Sequence, residues 1–213
     1  MAEIRLWAVS ITDVRGLFHA TGEAADHLRG DVAFHTLRPH QRGLFSGMGP
    51  MFSRDPAAPI LAPDSPLPSD VDAILHGHFV APDRLVPSWQ IVSHWLDGLS
   101  ASTVRLDLGH TAVDTLDFDL ARAGLAAHYA LRTLWARDAA LPLRPLAGSE
   151  VGYQRYAVAV ELCEAWRASR DALEGSGAMV DQVVGWLQQL PTWARDAEGA
   201  GRPAPDVFTV AFA

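Results

Sequence analysis

Both ends of the chain have the composition of buried β-strands, and this feature constrains the fold more than any other. Residues 3–11, EIRLWAVSI, are rich in β-branched and aromatic side chains and contain no Gly or Pro. In the final segment VFTVAFA, the large residues Phe208, Val210 and Phe212 alternate with smaller ones. Because an apolar strand must pair its backbone groups, the two terminal strands are predicted to be partners in one sheet.

Periodicity in the interior of the chain adds a third strand and several helices. The segment TVRLDL at 103–108 alternates apolar and polar residues, which is typical of a half-buried strand. Apolar positions at helical spacing predict helices over 85–99, 154–174 and 178–190. The predicted fold class is α+β, with a small, mostly antiparallel sheet formed by the N- and C-terminal strands plus 103–108 and packed with several helices.

A proline-rich stretch at 43–68 interrupts this pattern. Six of the chain's 14 prolines lie between Pro50 and Pro68, so a regular helix or a central strand is excluded there. The stretch also carries large apolar residues, which indicates an ordered loop that covers the core or forms a lid over a pocket. Just after it, Ser69–Asp72 fits a capping box that begins a short helix ending near His76. The whole chain, 1–213, is predicted to be a single domain.

Composition excludes several kinds of chemistry. All 17 basic side chains are Arg, so Schiff-base chemistry and a lysine-bearing phosphate loop are excluded. The net charge is −8 and the arginines are dispersed, which argues against nucleic acid as a partner. Cys163 is the only cysteine, and its spacing places it on the apolar face of a helix, where it is expected to be a core thiol. Because a chain with one cysteine has no intrachain disulfide, a cytoplasmic location is expected. No segment has the length and hydropathy of a membrane span, so no membrane association is expected.

Histidines at 76 and 78 suggest a metal site, with His94 as the third ligand. Two imidazoles separated by one residue share a face only where the chain is extended, and the third ligand must come from elsewhere in the fold. Neither an HExxH pattern nor an EF-hand loop accompanies them. The alternative is a solvated turn that carries two histidines, and the sequence leaves any cofactor unknown.

The segment Asp117–Asp138 is dense in ionisable groups and lies near the middle of the expected fold. Its part 126–138 is interpreted as a helix whose buried stripe contains Leu131, Leu134 and Trp135. Ionisable side chains would then flank that apolar stripe.

Four of these flanking groups are candidate catalytic residues. His128 with Asp117, Asp119 or Asp138 would form an acid–base pair if the side chains met in a partly dry cleft. The structural alternative is that the aspartates cap helices or form surface ion pairs, and that His128 and Arg132 are a solvated pair.

Tryptophan and arginine could instead mark a recognition surface. Of the seven tryptophans, Trp89, Trp135 and Trp166 lie in apolar stripes and are expected in the core. An exposed subset of the others would provide an interface, because Trp and Arg are the residue types that anchor partners.

Two segments, 68–100 and 117–145, and the late motif GRPAPD resemble uncharacterised actinobacterial proteins that contain a domain of unknown function. The resemblance covers about half of the chain, roughly 65–145 plus the C-terminus, and implies neither an activity nor catalytic residues.

The leading hypothesis for function is a cytoplasmic binding or accessory module, immunity-like or regulatory. It would contact another protein or a small molecule through a cleft beside the proline-rich loop, or through a surface bearing Trp and Arg. The alternative is an enzyme of a specialised biosynthetic pathway that uses His/Asp acid–base chemistry or a histidine-bound metal. A purely structural subunit and a homo-oligomer both stay open.

Overall fold

The described part of the chain forms helices packed on a four-stranded sheet. The structure is a computed structural model, and it describes residues 2–32, 36–37, 60–61, 65–108, 111–173 and 176–212. The strands are β1 (Ala2–Val9), β2 (Thr36–Leu37), β3 (Ile60–Leu61), β4 (Thr103–Leu108), β5 (Ser149–Gln154) and β6 (Asp206–Phe212). The α-helices are α1 (Ile11–Gly16), α2 (Gly22–Gly30), α3 (Pro68–Leu75), α4 (Leu85–Leu99), α5 (Ala112–Arg122), α6 (Tyr156–Ala168), α7 (Gly177–Leu187) and α8 (Leu190–Gly199).

The terminal strands pair with each other, as the sequence predicts. The strand order is β4-β1-β6-β5 and every pairing is antiparallel. In β1 and β6 the register runs from Glu3 opposite Phe212 to Val9 opposite Asp206. The predicted strand at 103–108 is β4, which lies at the edge beside β1. The α+β fold class is therefore confirmed.

Helices pack on both faces of this sheet because successive side chains of a strand point to opposite sides. One face, which we call the closed face, carries Ile4, Leu6 and Ala8 of β1, and it packs against α5, α6 and α7. The other face, the cleft face, carries Trp7 and Val9, and it packs against α1, α3 and α4. Each face thus has its own hydrophobic core.

The prediction of a helix over 126–138 is wrong. The chain instead forms two short 3₁₀ segments, Ala127–Tyr129 and Leu131–Trp135, separated by an extended Ala130. The Leu131 N–H, which an α-helix would bond to a preceding carbonyl, binds the Asp117 carboxylate at 2.6 Å. The predicted stripe of Leu131, Leu134 and Trp135 is nonetheless buried. A spacing of three residues brings side chains to the same side in a 3₁₀ helix as well.

The sheet has a strand, β5, although two prolines and two glycines over 141–152 favour a loop in that part of the sequence. β5 begins at Ser149 and pairs along its whole length with β6. Its Gly152 lies under the 3₁₀ segment: a Cβ placed there would come within 2.0 Å of the Trp135 carbonyl oxygen. The glycine that suggested a loop is required by this close approach of two backbones.

Helix α3 starts earlier than the predicted capping box. Its N-cap is Leu67, and Pro68 occupies the first turn, where a residue without an N–H is tolerated. The carboxylate of Asp70 accepts the Leu67 N–H at 2.8 Å. Leu67 has no side-chain acceptor, so only the acidic half of a capping box is present, and it is formed by Asp70 instead of Asp72.

The proline-rich stretch at 43–68 falls mostly outside the described residues, so its predicted covering role stays a prediction. Within the described ranges, no helix is long and apolar enough to cross a membrane. The single-domain assignment also stays a prediction.

Candidate functional site

The three histidines predicted to bind a metal do not come together. His76 and His78 lie exposed after α3 with their rings stacked, the centroids being 5.5 Å apart. His76 Nδ1 donates to the Asp72 carbonyl oxygen at 2.7 Å. On α4, His94 donates from Nε2 to the Asp31 carbonyl oxygen at 2.9 Å. Among the described residues, no three His, Cys, Asp or Glu side chains are grouped so that they could hold a metal ion.

Three of the four candidate catalytic residues make their described contacts with other residues and not with one another. His128 is exposed and its ring leans on Tyr129, with centroids 4.1 Å apart. Asp119 accepts a hydrogen bond from Ser176 Oγ at 2.6 Å. Asp138 accepts the Ala140 N–H at 2.8 Å, in a turn where Ala140 has a φ of 51°. Each aspartate has a local structural role.

Asp117, the fourth candidate, ties α5 to the 3₁₀ segment. It accepts the Leu131 N–H at 2.6 Å and a hydrogen bond from Arg132 Nη1 at 3.3 Å. Burial raises the pKa of Asp117, while the bond from Leu131 and the charge of Arg132 oppose that shift. Arg132 also binds Asp114 at 2.6 Å, so it pairs with α5 and not with His128.

The surface of exposed tryptophans is also absent from the fold. Trp89, Trp135 and Trp166 are buried, as predicted, and so are Trp7, Trp95 and Trp186. Trp193 is half-buried. The exposed tryptophans that would mark such an interface are therefore not found, because these side chains pack in or against the core.

Cys163 is a core thiol, as its helical spacing indicated. Its sulfur lies 3.7 Å from the Val184 carbonyl oxygen, and burial raises the pKa of the thiol. A raised pKa disfavours the thiolate that a nucleophilic cysteine needs.

The structure contains a cleft that the sequence interpretation did not locate. It lies on the cleft face, where side chains form rows across the strands. The first row is Asp107, Glu3, Phe212 and Ser149; the second is Arg105, Arg5, Val210 and Val151; the third is Thr103, Trp7, Phe208 and Tyr153.

Helix α4 covers the third row and leaves part of the first two rows open. Its Trp89, Val92 and Leu96 are buried against the sheet. Beside the helix, the cleft has a volume of about 610 Å³. The sheet contributes Glu3, Arg5, Asp107 and Phe212 to its lining, and α4 contributes Trp89, Gln90, Ser93, His94 and Asp97.

Negative charge exceeds positive charge in this cleft, since its lining carries three carboxylates and one guanidinium, while a second guanidinium, that of Arg105, lies 3.9 Å from Asp97. Arg5 binds Glu3 Oε1, at 3.1 Å from Nη2, and its Cζ lies 5.5 Å from the centroid of the Trp7 ring. Asp97 accepts the Trp7 indole N–H at 2.7 Å. Asp107 is exposed and accepts no hydrogen bond from any residue that the structure describes.

The cleft combines these charges with apolar walls. Phe212 and Leu146 lie half-buried along it, next to the largely buried Trp89. Its volume falls within the roughly 300–1,000 Å³ typical of small-molecule sites. The arrangement suits an organic cation, because carboxylates attract the charge and the apolar walls contact the rest of the molecule.

A signal for this cleft was present in the sequence. On β1 the residues of one face change from charged Glu3 and Arg5 to apolar Trp7 and Val9. The same face of β4 carries Arg105 and Asp107. When one face of a strand is polar at one end and apolar at the other, the pattern indicates that only the apolar end is packed under another element.

A scan of protein-family models finds no match to this chain, and searches of curated proteins and of solved structures return no similar protein. The resemblance to actinobacterial proteins of unknown function thus stays a prediction.

Proposed function

We propose that this protein is an accessory or regulatory binding module whose cleft takes a small organic cation with an apolar body. The observation that supports this proposal is the set of carboxylates of Glu3, Asp97 and Asp107 along an apolar cleft of about 610 Å³. The module would act in the cytoplasm, where a lone thiol such as Cys163 stays reduced.

The balance of charge favours a cation over an anion. Glu3 already binds Arg5, and Asp97 already binds Trp7 and lies 3.9 Å from Arg105. Asp107 has no such partner among the described residues, so its charge is available to a ligand. A bound ammonium or guanidinium group would offset that charge without displacing the bonds that hold the cleft.

An acid–base enzyme has less support. Asp117, Asp119 and Asp138 each accept a hydrogen bond from the protein itself, and His128 is exposed away from the cleft lining. The cleft contains one imidazole, that of His94, which binds a backbone carbonyl.

Three probes of similar shape and different charge test the proposal. Benzylamine, benzyl alcohol and benzoate are titrated into the full chain at low ionic strength, with binding followed by calorimetry and by the indole N–H signals of Trp7 and Trp89. We expect saturable binding of benzylamine, at least about tenfold weaker binding of benzyl alcohol, and none of benzoate. Equal or tighter binding of benzoate would contradict the proposal.

Substitution of Asp107 tests whether benzylamine binds in the cleft. Asp107→Asn removes a charge without breaking a bond in the described fold, and we expect it to weaken benzylamine binding by about fivefold. The matched control is Glu161→Gln, an exposed carboxylate on α6 outside the cleft. If both variants bind benzylamine like the parent protein, the cleft is not the binding site.

A further inference from the structure

Two arginines, Arg15 and Arg137, lie over the ring of Tyr153 at the end of the third row, and a third, Arg155, follows Tyr153 by two residues on extended backbone (φ −68°, ψ 147°), which directs it to the same face. Arg15 belongs to α1, Arg137 follows the 3₁₀ segment, and Arg155 immediately precedes α6. The Cζ atoms of Arg15 and Arg137 lie 5.8 Å and 5.6 Å from the centroid of the Tyr153 ring. We refer to Arg15, Arg137 and Arg155 as the arginine cluster.

The backbone fixes the cluster in place. Arg137 and Tyr153 form a β-bridge, with reciprocal N–H···O bonds of 3.3 Å and 3.0 Å. Arg15 Nε donates to the Ala139 carbonyl oxygen at 2.9 Å, which leaves its terminal nitrogens available. The Tyr153 ring is buried in the core of the cleft face, so it provides a rigid support for the guanidinium groups.

Positive charge accumulates at the phenol oxygen. The pKa of Tyr153 is lowered chiefly by Arg137 and then by Arg155, and the charge of Arg15 acts in the same direction. Partial burial of the phenol opposes this shift. The side chain therefore senses a net positive potential.

The carboxylates nearest in sequence bind groups other than the arginines of the cluster. Asp13 is paired with Arg202 at 3.1 Å, while Asp138 and Asp206 accept backbone N–H groups. Within the described residues, no arginine of the cluster takes part in an ion pair. Three like charges held together without counterions repel each other, and an anion would remove that cost.

The chemistry of the side chains defines the anion. The planar guanidinium group donates two parallel N–H bonds in a geometry that matches the oxygens of phosphate. Three guanidinium groups carry three positive charges, which is more than one carboxylate can balance. We propose that the arginine cluster is a binding site for a dianionic oxyanion: inorganic phosphate or the phosphate group of a small phosphorylated molecule. This site is separate from the acidic cleft and does not depend on the function proposed for it.

The test uses the full chain at low ionic strength, near pH 7.5, with inorganic phosphate, phenyl phosphate and acetate as probes. We expect saturable binding of a phosphate probe, with a dissociation constant on the order of millimolar, and at least about tenfold weaker binding of acetate. Tighter binding of phenyl phosphate than of inorganic phosphate would identify a phosphate ester as the ligand, and the reverse would identify the free ion. No saturable binding of either, or equal binding of acetate, overturns the proposal.

Variants assign the binding to the cluster. Arg155→Gln and Arg137→Gln remove side chains that make no ion pair in the described fold, and each should weaken phosphate binding by about tenfold or more. The matched control is Arg195→Gln on α8, an exposed arginine that also lacks an ion pair among the described residues and is isolated from the cluster. An equal loss in all three variants, or no loss in the first two, overturns the assignment.

A spectroscopic measurement separates binding from loss of fold. In protein labelled with ¹³C at tyrosine Cζ, bound phosphate should raise the pKa of Tyr153, because a nearby anion disfavours the phenolate. The signals of Tyr129 and Tyr156 serve as internal references. A Tyr153 titration that phosphate leaves unchanged would place any bound phosphate elsewhere.

Discussion

The two faces of the sheet share the same four strands and differ in how far helices cover them. On β1, the closed-face residues Ile4, Leu6 and Ala8 are all buried, whereas Glu3 and Arg5 on the cleft face are half-buried and polar. At Gly152 of β5, the closed face has no room for an added methyl group. Over β4, β1 and β6, the cleft face borders a cleft of about 610 Å³. The half that the described residues leave uncovered is thus the part of the sheet to which the ligand-binding proposal applies.

The difference follows from the lengths and positions of the covering elements. The 3₁₀ segment Leu131–Trp135 lies directly on β5 and, with α6 and α7, closes one face. On the other face, α4 uses Trp89, Val92 and Leu96 to cover the third row and leaves the charged ends of β1 and β4 beside it. Five predictions test this contrast.

The largest effect is expected from Phe208→Ala, in the covered part of the cleft face. Phe208 is fully buried and packs against Trp7, with ring centroids 5.9 Å apart. Its loss should lower the free energy of unfolding by about 3–5 kcal/mol, as for other buried Phe side chains. Urea denaturation followed by tryptophan fluorescence measures this. A loss of stability below about 1 kcal/mol would mean that the side chains in this half of the cleft face are also poorly packed.

The next effect is expected from Gly152→Ala on the closed face. The added Cβ would come within 2.0 Å of the Trp135 carbonyl oxygen, so the 3₁₀ segment must shift. The expected loss of stability is about 1–3 kcal/mol or more. Gly185→Ala in α7 is the control, since a Cβ there meets no atom within 4 Å and should stabilise the helix slightly. An unchanged melting temperature for Gly152→Ala would show that the closed face can adapt.

A smaller effect is expected at Asp117, where the closed face holds a partly buried charge. Asp117→Ala leaves the Leu131 N–H without its acceptor, and the expected cost is about 1–3 kcal/mol. Asp117→Asn retains an acceptor oxygen and should cost less than half of that, which chemical denaturation of both variants will measure.

The same residue gives a pH dependence. Burial raises the pKa of Asp117 in the folded state, so the native protein binds more protons than the unfolded chain between the ordinary and the raised pKa. The resulting stabilisation is fully present below the ordinary pKa and is lost as pH rises through the folded-state value. Unfolding measured from about pH 4 to about pH 7 should show this loss in the parent protein and not in Asp117→Asn. The opposite slope would mean that the bonds to Asp117 outweigh its burial.

The smallest effect is expected from Phe212→Ala, in the open half of the cleft face. Phe212 shares a strand and a face with Phe208 but is only half-buried beside the cleft. Its removal should cost about 1 kcal/mol, against about 3–5 kcal/mol for Phe208. Similar costs for the two variants would show that the open half is as well covered as the rest, which would remove the basis of the ligand-binding proposal.

Local patterns predicted the elements that carry a regular period. The terminal strands, β4, α4, α6 and α7 follow from alternation or from helical spacing. The pattern failed where a spacing of three residues suits two structures: Leu131 and Leu134 are buried as expected, but on a 3₁₀ segment. It also failed at Gly152, where a glycine that usually marks a loop lies inside β5.

The candidate site was predicted less well than the fold. Density of ionisable residues in one segment suggested His128 and three aspartates, but those carboxylates are used by nearby donors. Glu3 and Asp107, which line the cleft, are far apart in the sequence and become neighbours only through the pairing of β1 with β4.

The sequence by itself determined the regularly patterned elements, namely the terminal strands, β4, α4, α6 and α7, and that the two ends of the chain pair. These properties depend on local periodicity and on the burial of apolar residues. The tertiary structure alone decided which part of the sheet α4 covers and which carboxylates line the cleft. It alone also brings Arg15, Arg137 and Arg155 close to Tyr153. Those juxtapositions depend on strand register and helix placement, because residues distant in sequence acquire a shared electrostatic environment only when the chain is folded.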